Sequence, residues 1–140
     1  MINFFNEDIV RPKLPFWNIK KWIKSTVLSF EYKTGDISVI FCSDKYLLTI
    51  NQTYLNHDYY TDIITFNYNT EQIISGDIFI SVETVKSNAI EFHVTEQDEF
   101  LRVIIHGVLH LLGFNDHLDE EIAEMRKREN IALELYRSMF

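Results

Sequence analysis

The chain has 140 residues, with 13 Lys+Arg against 21 Asp+Glu and a formal net charge of −8. Hydrophobic residues make up 46% and include Phe 11, Tyr 7 and Trp 2, enough material for a buried core, which excludes disorder as the main description. Gly 4 and Pro 2 exclude collagen-like and linker-rich chains, the single Cys42 excludes an internal disulfide, and the acidic balance excludes a broadly basic nucleic-acid surface.

Residues 1–140 read as one domain with no internal repeat. The charge is uneven: +3 over residues 1–35, −5 over 36–90 and −6 over 91–140. A polyanion is therefore expected to meet the N-terminal third or a metal. There is no run of about 18 uncharged apolar residues and no basic stretch ahead of an apolar one at the N-terminus. A cytoplasmic protein with no membrane partner is expected, and one cysteine suits a reducing compartment.

Residues 2–5 suit a short strand, and Pro12 and Pro15 then forbid regular structure until about residue 16. From Asn18, the residues Ile19, Trp22, Ile23, Val27 and Phe30 recur at helical spacing while Lys20, Lys21 and Lys24 fall on another face. Those lysines make a solvated face or a phosphate-contacting one. Gly35-Asp36 opens a strand with Ile37, Val39 and Phe41 on one side and Ser38, Ile40 and Cys42 on the other. Ser43 caps a helix from Lys45 to about Tyr54. Strands over Asp62–Tyr68 and Asp77–Val82 lie too close together for a crossover helix, so a hairpin with Gly76 in its connection is expected. A short helix over residues 83–92 turns Val85, Ala89 and Phe92 inward. Thr95 caps a helix to about Leu112 that is apolar on nearly every side, and Gly113 is a left-handed stop. The last helix, from Asp119, buries Ile122, Met125, Ala132, Leu133, Tyr136 and Met139.

His106 and His110 are four residues apart on the apolar helix, so their imidazoles project from one face, one turn apart. Two such rings satisfy themselves by core hydrogen bonds or share a divalent ion, because leaving them unpaired beside Ile105 and Leu109 is costly. The turn at Gly113 brings back Asp116 or His117 as a third donor. The spacing His-x3-His-x2-Gly-x2-ligand is also that of metzincin zinc peptidases. Here Gly107 stands where those enzymes carry their general-base glutamate, so peptide hydrolysis is not expected.

The string His106-Gly107-Val108-Leu109-His110-Leu111-Leu112-Gly113, followed by Phe114, resembles the C-terminal signature of the YbeY-type bacterial endoribonucleases, roughly His-Gly-x-Leu-His-Leu-x-Gly-Tyr-Asp-His. Residues Asn51 through Phe66 are similar to that family's Leu-Asn-x-x-Tyr-Arg-x-Lys-Asp-x-Pro-Thr-Asp-Val-Leu-Ser-Phe, and Gly76-Asp77-Ile78-Phe79-Ile80-Ser81 to its Gly-Asp-Ile strand. The three blocks stand in the family's order, and the likeness spans about residues 36–130.

The resemblance implies an α+β domain, a small mixed sheet flanked by helices with the metal-binding helix packed centrally. It implies a single-strand-specific endoribonuclease acting in 16S ribosomal RNA maturation and ribosome quality control. The expected cofactor is one Zn²⁺, with another divalent transition metal as the alternative, and the expected partners are single-stranded rRNA or the ribosomal subunit, with ribosomal proteins. The family's third ligand lies ten positions after His106, which is Asp116 here, with His117 one further as the alternative. Zn²⁺ with two neutral imidazoles and a carboxylate keeps one positive charge rather than two. The family's arginine near the phosphate is replaced by Leu55, which can neutralise nothing, and the neighbouring lysine position is His57. A protonated His57 would restore part of that charge. Asp62 and Asp77 are candidate acceptors for the ligand histidines, while His93 and Cys42 read as structural. Two rival readings are a ribosome-assembly factor with a structural metal and a metal-dependent hydrolase of another ester.

Overall fold

The computed structural model describes residues 1–55 and 61–140. Strand β1 (Ile2–Asn6) leads into helix α1 (Phe16–Ser29), strand β2 (Lys33–Cys42) and helix α2 (Asp44–Leu55). Strands β3 (Ile63–Asn67) and β4 (Ile73–Ser81) follow, then helices α3 (Val82–Glu91), α4 (Glu96–Leu111) and α5 (Asp119–Met139). The sheet runs β1-β2-β4-β3, parallel except for the antiparallel β3–β4 pair. This is the mixed sheet of an α+β fold, with the hairpin where the short connection requires it.

The alternation in β2 sorts the core into two layers. Ile37, Val39 and Phe41, with Ile74, Ile78 and Ile80 of β4, pack under α1, α4 and α5. On the opposite face Cys42 joins Leu47, Ile50 and Ile64, with Phe66 and Phe79 against them. Burial pushes the Cys42 thiol up to about 12, as suits a packed rather than a reactive cysteine. Helix α4 lies over the larger layer with most of its length buried. It starts where Thr95 Oγ1 accepts from the Asp98 N–H at 3.0 Å. At its other end the Asn69 side-chain amide donates to Leu111 O at 2.7 Å, tying the hairpin to the helix terminus. Helix α5 docks through the Trp22 indole, which donates to Ala132 O at 2.7 Å, and through buried Met125, Leu133 and Tyr136. Among the described residues, no helix is long and apolar enough to cross a membrane.

Several expectations are corrected. Helix α1 starts at Phe16, where Pro15 permits it and ahead of the periodicity read from Asn18, because proline is tolerated ahead of a helix but not inside it. Gly76 lies within β4, not in the hairpin connection, and β2 begins at Lys33 with an irregular step between Thr34 and Ile37. Phe92 and Ile122, both expected inward, are 53% and 50% exposed. Phe92 is the residue that closes α3, and Ile122 lies in the first turns of α5. Helical periodicity gives the face of a side chain, not where the partner surface ends. Met139 is half-buried at the core's margin.

Gly107 is decided by packing. A Cβ there would lie 2.7 Å from Ile78 Cγ2 and 2.9 Å from Ile63 Cδ1, so the missing side chain lets α4 sit directly on the sheet between its two histidines. Gly107→Ala is therefore expected to destabilise the fold by about 1–2 kcal/mol, overpacking outweighing the better helix propensity of alanine. Urea unfolding checks this through a lowered midpoint at an unchanged circular dichroism spectrum; a raised midpoint would contradict the close approach.

Candidate metal centre

The C-terminal turn of α4 builds the site. Gly113, at φ +102°, takes the left-handed conformation that a Cβ disfavours. Its N–H donates to His110 O at 3.0 Å, and the Phe114 N–H donates to Leu109 O at 3.0 Å, the paired bonds of a Schellman ending. Folded back in this way, Phe114 O lies 2.9 Å from His110 Nδ1. A carbonyl only accepts, so His110 Nδ1 carries the proton and its Nε2 is left as a bare lone pair.

His106 is oriented from the other side. Its Nδ1 is 2.7 Å from Glu129 Oε2, whose second oxygen accepts from Arg102 at 2.8 Å. Arg102 also donates to Asn130 Oδ1 at 2.9 Å, so its guanidinium is held in place. Burial disfavours a charged His106, but the hydrogen bond and charge of Glu129, helped by Asp116 and Asp62, outweigh it and raise its pKa. Burial and the neighbouring His106 lower that of His110. Glu129 is buried too, yet its bonds from His106 and Arg102 hold its carboxyl below the ordinary value.

With both Nδ1 atoms spoken for, the two Nε2 atoms face each other at 3.0 Å. Asp116 Oδ2 sits 3.2 Å from His106 Nε2 and 3.4 Å from His110 Nε2. With both imidazoles neutral, three acceptors converge with no donor of their own, a conflict that a shared cation resolves, as does a proton taken up by His106, the ring whose pKa is raised. Two tetrahedral ligands about 2.1 Å from a zinc ion are about 3.4 Å apart, close to these separations. The donor set of two nitrogens and one oxygen fits a catalytic zinc site with a position left open. His106, His110 and Asp116 thus form a group that can bind a metal.

His117, the alternative to Asp116, is exposed and outside this group, its backbone N–H donating to Glu121 Oε1 at 3.2 Å. His57 lies outside the described residues. Asp77 faces the Tyr68 hydroxyl rather than an imidazole. Asp62 lines the clefts beside the trio, but the orienting acceptors are Glu129 and Phe114 O. Glu129 was missed. Its signal was a carboxylate in the buried register Met125, Glu129, Ala132, Leu133 and Tyr136 of α5.

Two clefts flank the trio and share His106, Asp116 and Asp62. One, of about 390 Å³, runs between α2 and β3 past Asn51, Leu55 and Thr65 to His110. Leu55 is 38% exposed there, and no described Lys or Arg lines that wall. The other, of about 380 Å³, opens between α3, α4 and α5. Lys20, Lys21 and Lys24 line neither; they border a separate groove with Trp17, Met1 and Ile2.

Fold and site together define a small α+β protein whose buried helix presents a two-histidine, one-carboxylate cluster. A family model described as Endoribonuclease YbeY matches residues 8–137. Relatives of that name include a protein from Parabacteroides distasonis, 49% identical over 94% of this chain and 93% of its own length. Another, from Porphyromonas gingivalis, is 43% identical over 97% of this chain and 90% of its own. The solution structure of TM1509 from Thermotoga maritima matches with a TM-score of 0.67 at 29% identity, covering 99% of this chain and 93% of that one. The chain belongs to the Endoribonuclease YbeY family.

Glu129→Gln keeps the shape but removes the charge beside His106. In metal-free protein the His106 pKa is expected to fall, and titration of its imidazole signals by NMR reads the shift directly. A pKa that stays put or rises would mean Glu129 does not set the ring's charge.

Proposed function

We propose that this chain is a zinc-dependent endoribonuclease that cuts single-stranded RNA during maturation of 16S ribosomal RNA and ribosome quality control in the cytoplasm. Its partners are rRNA or the ribosomal subunit with ribosomal proteins. The family supports endoribonuclease activity. The observation that carries the metal reading is the meeting of His106 Nε2, His110 Nε2 and Asp116 Oδ2 at 3.0–3.4 Å while both Nδ1 atoms engage partners outside the trio.

His106, His110 and Asp116 hold the ion, with Asp116 rather than His117 as third ligand. Glu129 and Phe114 O keep the rings turned so that the lone pairs point inward. When bound, zinc supplies a Lewis acid that polarises a phosphoryl oxygen. The carboxylate partly neutralises the ion and leaves the site one net positive charge for a phosphodiester. The cleft past Leu55 and Asn51 admits an extended strand, and no described Lys or Arg lines it to pair with the backbone. His57 is the candidate for that missing charge.

Metal analysis and cleavage of a single-stranded RNA by four proteins test this reading. Wild type is expected to carry zinc and cut. His110→Ala and Asp116→Ala are expected to lose zinc and at least about 100-fold in rate, since the ion contributes several kcal/mol at the transition state. His117→Ala is expected to keep both. Equal cleavage by wild type and His110→Ala would place the activity in a contaminating nuclease. Zinc-loaded wild type that cuts no RNA would favour the assembly-factor reading, which the absence of a Lys or Arg among the described residues of that cleft also favours. Cleavage of other esters alone would favour the more general hydrolase.

A further inference from the structure

The cleft between α3, α4 and α5 holds a carboxylate that the metal centre does not use. Glu99 is only 5% exposed and lines this cleft together with His106 and Asp116. Among the described residues no hydrogen bond or ion pair reaches its side chain, while the other buried carboxylate of the region, Glu129, is bonded on both oxygens. Its oxygens keep access to the cleft, the sealed and unpartnered side-chain oxygen among the described residues being Thr26 Oγ1, so a group that enters the cleft can donate to them. Burial raises the Glu99 pKa, with the charges of Arg102 and Arg126 acting against it.

The walls point to what enters. Phe92 and Ile122, half-exposed although the helical pattern turns them inward, stand on this cleft with buried Val103 and Met125. Their surface suits a flat apolar body. Four acids, Asp62, Glu99, Asp116 and Glu129, line the same space, so a phosphate is disfavoured deep inside it and a neutral ring rich in N–H donors is favoured. At the side lies Arg126, 59% exposed on its side chain and 3.6 Å from Glu129 Oε1, an oxygen that Arg102 already holds at 2.8 Å. Arg102 is committed to Glu129 and Asn130, whereas among the described residues Arg126 meets only Glu129, leaving donors for a phosphate.

We propose that this cleft is a nucleobase subsite selective for guanine, next to the metal centre. The base lies against Phe92 and Ile122, the two oxygens of Glu99 accept from its N1–H and N2–H donors, and Arg126 meets the phosphate of the same nucleotide. Guanine is the one RNA base whose pairing edge presents two adjacent donors, the match for a carboxylate that only accepts. Adenine and cytosine offer one donor beside an acceptor, and uracil one donor between two acceptors. The inference rests on the endoribonuclease reading for its substrate class and goes beyond it in naming the base.

Fluorescence anisotropy with 2′-O-methyl oligouridines, which resist attack by a neighbouring 2′-hydroxyl, tests the subsite through binding alone. One strand carries a single guanosine, one an inosine and one an adenosine. Wild type is expected to bind the guanosine strand about tenfold more tightly than the adenosine strand, with inosine, lacking the N2 amine, between them. Glu99→Gln, near-isosteric and checked for folding by thermal melting, is expected to lose the preference. Phe92→Ala, at an exposed position, is expected to weaken the guanosine strand most. Equal binding of guanosine and adenosine strands by wild type, or a preference kept by Glu99→Gln, overturns the subsite. Cleavage of unmodified RNA, run alongside, separates the two ideas: cutting without a base preference defeats the subsite alone, and a guanosine preference without cutting defeats the nuclease reading alone.

Discussion

The convergence of His106 Nε2, His110 Nε2 and Asp116 Oδ2, with each ring's Nδ1 turned to a partner outside the trio, is the constraint on which the rest of this structure depends. The arrangement exists because each imidazole gives its Nδ1 proton elsewhere: His110 to the backbone of Phe114, His106 to Glu129. Were either ring free to turn, one histidine would donate to the other and the pair would be an ordinary satisfied contact in a helix. Fixing both tautomers by partners outside the trio converts a core hydrogen bond into a group that can hold a cation.

Much of the fold serves those two Nδ1 bonds. Gly113 reverses the chain tightly enough for a carbonyl four residues after His110 to reach its own helix. Trp22 and the apolar stripe of α5 hold that helix against the core, which brings Glu129 up to His106 and Arg102. Gly107 lets α4 lie on Ile63 and Ile78. At the position where a metzincin would carry its catalytic glutamate, this chain carries a packing residue.

The electrostatics around the trio are unusual for a protein that handles a polyanion. Each cleft wall contributes carboxylates, and one of the two arginines nearby is consumed in orienting Glu129. On the proposed reading, attraction of a nucleic acid to such a site comes from an ion held there and from contacts to bases rather than from a basic surface. That is consistent with the net charge of −8 and with the placement of Lys20, Lys21 and Lys24 in a groove of their own.

The sequence by itself determined the local parts: amphipathic periods, the cap at Thr95, the stop at Gly113, the short β3–β4 connection and two histidines on one helical face. These are effects of neighbours within a few residues, where spacing is geometry. The tertiary structure alone decided which residue after the glycine meets the imidazoles, because Asp116 and His117 are adjacent and only the path of the folded-back turn separates them. It also decided that Glu129, 23 residues from His106 along the chain, is the acceptor that orients it, and that Phe92 and Ile122 border a cleft instead of the core. Those outcomes depend on how α5 docks across α4. Packing between elements distant in the chain fixes that, and no local pattern encodes it.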